Sequence, residues 1–330
     1  MLRGRVRSSF HLMLRGPLGE PSAVTRFSGH ETFPLRRLWL RKAYEAVREA
    51  EGTDASEVFD KDAGIIRFGV GKNMVFAIRH WARICRVIEE DAQGHCKIGP
   101  VGNLLFHSET GVDPYLENIA STWLLHWIIA SDSENATTWY YAFNHLNAGT
   151  FDRETIASPL RDLCLELSRS RASAATIKRD VEVFVRSYVS RIAGSSVDDQ
   201  VETVLSELNL VREVAGKAFE FRRGPKPSLP DGVFAYALHD FWSRKERLTA
   251  SAVSSISVEE IAFEPGSPGR IFKMNEDAVI DRLVHIDRTT SKAFVWSDTA
   301  GVRNVSKRDK IDPYEQLRSS FSRSRKEVAA

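Results

Sequence analysis

The chain has little of several things that would fix a chemistry early. It holds 3 cysteines in 330 residues. Cys85, Cys96 and Cys164 form no C-x-x-C pair, which argues against a zinc ribbon or a disulfide framework and fits a reducing cytoplasm. Charge of one sign is also scarce. Lysine plus arginine number 46 against 44 acids, a net charge of +2, so any polyanion-binding surface must come from local clustering. There is no long hydrophobic run. Ile119 to Ala130 (IASTWLLHWIIA) is too short for a bilayer and contains His126, so it reads as a buried helix and no membrane contact is expected. No P-loop is present. Gly71-Lys72 has Ile66 where the first glycine should stand and Asn73 where the magnesium-binding hydroxyl should stand, so no nucleotide cofactor is expected. A D…E-x-K nuclease core, a G-x-S-x-G elbow and a cysteine–histidine pairing are missing too.

What is present is helical periodicity with a basic side. After Gly71, Val75, Ile78, Trp81, Cys85 and Ile88 recur at steps of three and four, the mark of one buried face. Lys72, Phe76, Arg79, Arg83 and Arg86 fall on the other. A short element, EVFDKDAGIIRF, precedes this helix, and glycine-centred turns between short apolar runs follow it. Helix, turn, basic helix, hairpin is the order of a winged helix-turn-helix, whose second helix enters the major groove by its N-terminal end. Lys72 and Asn73 would reach bases there, and Arg79, Arg83 and Arg86 would hold phosphate or guanine.

The pattern recurs. Ser158-Pro159 reads as a cap and first turn, with Leu160, Leu163 and Leu167 inward. SRSRA breaks that helix. Ser173 then caps a second one with Ile177, Val181, Phe184, Tyr188 and Ile192 inward and Lys178, Arg179 and Arg186 outward. A hairpin about Ala215-Gly216 follows and ends in Arg222, Arg223 and Lys226, candidate phosphate contacts. In the last third, Ser257 with Glu260 signals a capping box, EPGSPGR a loop, IFKM a short strand, Asn275 a helix start, and KAFVWSDTAGVRNVSKR two strands. Mixed charges there favour packing or partner contact. The resulting fold class is α+β and helix-dominated, with several winged-helix-like units. The expected division is a flexible basic arm over 1–26, an N-terminal DNA-binding unit over 27–149, a second winged helix-turn-helix over 150–236, and a packing unit over 237–330.

Residues 27–37, FSGHETFPLRR, lead into a helix on which Leu35, Leu38, Trp39, Ala46 and Val47 are expected inward. Arg37, Arg41, Tyr44 and Arg48 fall on another face, and Arg37 and Arg41 join the candidate DNA contacts. His30 and Glu31 are candidate catalytic residues, since such a pair can share a proton or a metal. Adjacent side chains in an extended segment point apart, however. Asp60 and Asp62 are weaker magnesium candidates, and no set of metal ligands emerges.

FSGHETFPLR, GVGKNMVFAIRHW, ATIKRDV and DTAGVR, in this order, resemble the SspB-like family of bacteria, over about residues 27–310. That family includes the DNA-nicking component of Ssp-type DNA phosphorothioation systems. The resemblance implies double-stranded DNA as partner, a cysteine desulfurase and an ATPase as co-workers, and a nick that opens the backbone to sulfur. Hydrolysis of a phosphodiester normally uses a divalent metal, so Mg2+ or Mn2+ is the expected cofactor. A palindromic target would favour a homodimer. The alternatives are a non-enzymatic DNA-docking subunit or transcriptional regulator, and a protein-interaction scaffold.

Overall fold

The computed structural model describes residues 14–50, 52–167, 172–189, 203–310 and 312–327. Residues 1–13 of the basic arm, the SRSR of the predicted helix break (168–171) and Ile192 lie outside them. The rest of the arm lies against the body. Leu18 is fully buried, and the Arg26 amide donates to Thr137 Oγ1 at 3.0 Å.

The first run of elements is α1 (Arg37–Glu49), α2 (Ala55–Val58), α3 (Ala63–Phe68), α4 (Lys72–Ile84), the antiparallel hairpin β1 (Ile88–Glu90) with β2 (Cys96–Ile98), and α5 (Pro100–Phe106). An isolated bridge between Asp54 and His95 adds a third short rung beside β2. Leu35, Trp39, Ala46 and Val47 are buried at α1 as expected, and Leu40, Ala43 and Tyr44 join them. Leu38 is 54% exposed and Tyr44 is buried, because two residues along a helix turn the side chain by about 200° from Leu40. α4 follows its periodicity, with Val75, Ile78 and Trp81 completely buried. α6 (Ile119–Ala130) is buried on every side from Ala120 onward, as its sequence predicts.

The second run is α7 (Thr137–Asn144), β3 (Thr150–Phe151), α8 (Arg153–Glu166), α9 (Ala174–Tyr188), β4 (Val211–Val214) and β5 (Ala218–Phe221). Its sheet has the order β3-β5-β4, antiparallel throughout. α8 starts earlier than Ser158-Pro159 suggested. A capping box between Asp152 and Thr155 opens it, and Pro159 sits inside the helix. Ser173 caps α9 as expected.

The third run is α10 (Asp231–Thr249), β6 (Ser255–Ser257), α11 (Val258–Phe263), α12 (Pro268–Ile271), α13 (Glu276–Leu283), α14 (Ile286–Thr289), β7 (Phe294–Thr299) and β8 (Val302–Lys307), closed by α15 (Pro313–Glu327) against α10. Its sheet order, β6-β8-β7, repeats that of the second run. The Ser257–Glu260 box is formed. The expected EPGSPGR loop is present over 264–267, but Pro268–Ile271 is a short helix and IFKM forms no strand. Ser267 accepts from the Arg270 amide at 3.3 Å and Pro268 occupies the first turn.

Polar contacts tie the runs together. His126 on α6 meets the Tyr188 hydroxyl at 2.8 Å and the Ile271 carbonyl at 3.0 Å. Burial depresses its imidazole to about 3, so the ring is neutral, donating from Nε2 to Ile271 and accepting at Nδ1 from Tyr188. The buried Lys273 donates to the Phe143 carbonyl at 2.6 Å, at the end of α7, with burial holding its amine well below the ordinary lysine range.

Candidate nucleic-acid interface

The second run presents its cations most freely. Along α9, Ile177, Val181, Phe184 and Tyr188 are at most 1% exposed, which leaves Lys178 and Arg179 facing solvent. A groove of about 340 Å³ separates α9 from the β4–β5 turn and the start of α8. Lys178 and Val181 form one wall, Gly216 and Lys217 another, and Asp152 and Arg153 a third. Arg153 is paired with Glu182, and Glu154 with Arg161. Asp152 is held by the Thr155 amide and hydroxyl, which keep its carboxyl below the usual range. Lys178 and Lys217 form no hydrogen bond or ion pair among the described residues, although Glu154 lies within electrostatic reach of Lys178. Lys217 escaped the sequence reading; its only signal was its place after the Ala215-Gly216 turn, where it adopts φ 63°. Arg222 and Arg223 stay exposed beyond β5.

Lys226 does not. It is 8% exposed, and its ammonium donates to the carbonyls of Arg222 at 2.9 Å and Gly224 at 3.0 Å. Burial, with Arg222 and Arg223 nearby, lowers it to about 8. The expected phosphate contact is a clamp that fastens the chain after β5.

In the first run Lys72 and Asn73 are exposed at the start of α4, but the stripe behind them is not a free basic face. Arg79 makes a two-pronged pair with Glu90 at 2.8 and 2.9 Å, and Arg83 reaches the same carboxylate at 3.5 Å. The hairpin beside α4 carries Glu89, Glu90 and Asp91, a placement periodicity along the helix could not register. Arg86 lies past the helix end at φ 56°, its side chain half-buried. On α1, Arg37 is held by Glu207 and the Leu116 carbonyl, while Arg41 stacks 4.4 Å over Tyr115 and donates to the Pro114 carbonyl at 3.3 Å. In the third run α13 exposes Glu276, Asp277 and Asp281, which would repel phosphate.

His30 and Glu31 part company. Glu31 is exposed at φ 48°. His30 is 4% exposed, its Nε2 2.6 Å from Asp180 on α9 and its Nδ1 accepting from the Thr32 amide at 3.1 Å. Its ring lies over Trp81 at 6.3 Å between centroids and meets Trp139 edge-on at 6.3 Å. This loop is a clasp joining α4, α7 and α9, and the two residues form no joint site.

Residues 27–321 match the family model described as protein of unknown function (DUF4007). The chain belongs to this family. Its fold is SspB-like: this DUF4007 chain is similar to an SspB crystal structure with 27% identity and a TM-score of 0.72, covering 91% of this chain and 94% of that one. A magnesium ion-bound SspB crystal structure matches with 27% identity and a TM-score of 0.73, covering 91% and 93%. No curated protein matches.

Among the described residues no three His, Cys, Asp or Glu side chains converge on one point. Asp60 Oδ1 accepts from the Asp62 and Ala63 amides at 2.8 Å, the hydrogen bonds of an ordinary turn.

Proposed function

We propose that this chain docks duplex DNA within an Ssp-type phosphorothioation machinery, using α9 and the β4–β5 turn. The observation that carries the reading is the groove flanked by the unpaired Lys178 and Lys217. A strand, two helices and a hairpin whose returning strand is central is the winged helix-turn-helix order, in which the second helix enters the major groove and the hairpin touches backbone. Arg179 extends the charge along α9, Arg222 and Arg223 add phosphate contacts, and Lys72 and Asn73 offer a second point of contact. SspB as a relative supports the setting, with a cysteine desulfurase and an ATPase as co-workers. Fluorescence anisotropy on a labelled duplex across a salt series tests the docking. Affinity should fall linearly in log–log form as salt rises, and a salt-independent affinity would reject phosphate contact.

Nicking of the docked duplex is a second reading, favoured by the magnesium ion-bound SspB relative. Supercoiled plasmid incubated with the protein and a Mg2+ or Mn2+ series should pass to open circle. If it stays supercoiled with every metal while anisotropy reports binding, docking is the whole function.

A further inference from the structure

A second cavity, of about 600 Å³, lies between the end of α4, β1 and the loop joining α6 to α7. Arg26, His80, Arg83, Arg86, Asp132 and Asn135 are among the residues lining it. Several of its charges are already committed. Arg83 faces Glu90 at 3.5 Å, Lys97 pairs with Glu89 at 3.0 Å, and Asp132 accepts from the Asn135 amide at 2.9 Å. Arg26 and Arg86 differ: neither guanidinium has a hydrogen bond or ion pair among the described residues. Arg26 is exposed at the rim and Arg86 is half-buried.

The backbone aims Arg86. Its amide donates to the Arg83 carbonyl at 2.9 Å, and its own carbonyl accepts from Val101 at 3.1 Å, which fixes the left-handed φ of 56°. Burial by itself would lower this guanidinium, but Tyr236, Asp240, Tyr314 and Asp132 outweigh it and hold it raised. It is therefore charged, partly removed from water and lacking an acceptor, a costly state for five N–H donors. Burial depresses His80 to about 3, so its neutral ring adds one donor and one acceptor.

The wall narrows the ligand. A small bare anion would meet Glu89, Asp91 and Asp132 as well as the arginines. An apolar molecule would find little beyond Ile84 and Ile88. A molecule with a phosphate and several hydrogen-bond donors satisfies both kinds of wall, and the volume lies in the usual small-ligand range. We propose that this cavity binds a nucleotide unit, its phosphate on Arg26 and Arg86 and its sugar or base donors toward the carboxylates. This goes beyond duplex docking and does not rest on it. The same chemistry is supplied by a free nucleoside monophosphate or by one nucleotide of a single strand.

Calorimetric titration of the full chain separates these sources, using the four deoxynucleoside monophosphates, inorganic phosphate and a short single-stranded oligonucleotide. A monophosphate should bind saturably, at least about tenfold tighter than inorganic phosphate. R86Q should weaken it by about tenfold or more, with an unchanged circular-dichroism melt. R26Q, at the exposed rim, carries the same test should R86Q fail to fold. If only the oligonucleotide binds and either variant weakens it, the cavity takes a nucleotide of a strand. Equal binding of inorganic phosphate, indifference to both variants, or no saturable binding below about 10 mM would each overturn the proposal.

Discussion

Replacing His30 with alanine distinguishes a structural clasp from a catalytic residue. The wild-type ring is 4% exposed and gives the Asp180 side chain, itself buried, its only hydrogen bond among the described residues, where Asp180 Oδ2 has none. Removing the imidazole leaves a buried carboxylate without a donor, and breaking such a pair from one side costs about 3–5 kcal/mol. The ring's contacts with Trp81 and Trp139 are lost with it. At roughly 2–4 °C per kcal/mol for domains somewhat smaller than this chain, the melting temperature should fall by about 6–20 °C. Asp180→Ala leaves the imidazole N–H unpaired instead and should cost about 1–3 kcal/mol before its packing loss. The double variant should be milder than the sum of the two by about 1–3 kcal/mol, since both stranded groups are then gone. The assay is denaturant unfolding of the four proteins, run beside plasmid nicking. Single losses that add to within about 0.5 kcal/mol would refute the clasp. So would a His30→Ala protein that melts like wild type yet no longer nicks, which would make His30 a catalytic residue.

Three further outcomes follow from the same geometry. K178E and K217E should each weaken duplex binding at every sequence and flatten the log affinity–log salt slope by about one or more, whereas R79E should chiefly lower stability by stranding Arg79's partner Glu90; an R79E effect on the slope as large as that of K178E would return the interface to α4. G29A should destabilise by about 2 kcal/mol or more in a thermal melt, because Gly29 holds φ 113° and a Cβ there would overlap His80 Nδ1; a melt like that of wild type would show that this loop gives way. Lys226 is protonated in both states below its folded value of about 8 and in neither above the ordinary lysine range, so between them the unfolded chain binds more protons and wild-type stability should rise with pH relative to K226M; parallel melting curves from pH 7 to 10 would contradict the burial of that amine.

Much of the architecture is legible in the sequence because it rests on local rules. The 119–130 helix is apolar on all sides and is buried on nearly all of them. The Ser257–Glu260 box and the Ser173 cap are satisfied within one turn, so four residues suffice to announce them. Hairpins about Ala215-Gly216 and Ala300-Gly301 follow from turn chemistry. Failures begin where two local signals compete. Asp152 with Thr155 outbid Ser158-Pro159 as a helix start, and Ser267-Pro268 opened a short helix where the end of a loop and the start of a strand were expected.

The site was less legible, because a charge shows its type in sequence and its partner only in space. Lys178 and Arg179 could be placed on the outer side of α9 from period alone, and they are exposed there. Arg79 and Arg83 had the same pattern, yet Glu90 on the adjacent hairpin claims them. Lys226 reads as a surface cation and is a buried clamp, and His30 finds its carboxylate 150 residues away. Sequence alone determined which helices exist and which side of most of them is apolar, since both are set within a few residues. The tertiary structure decided which cations remain free, because pairing is a matter of distances between segments that the chain order leaves unspecified.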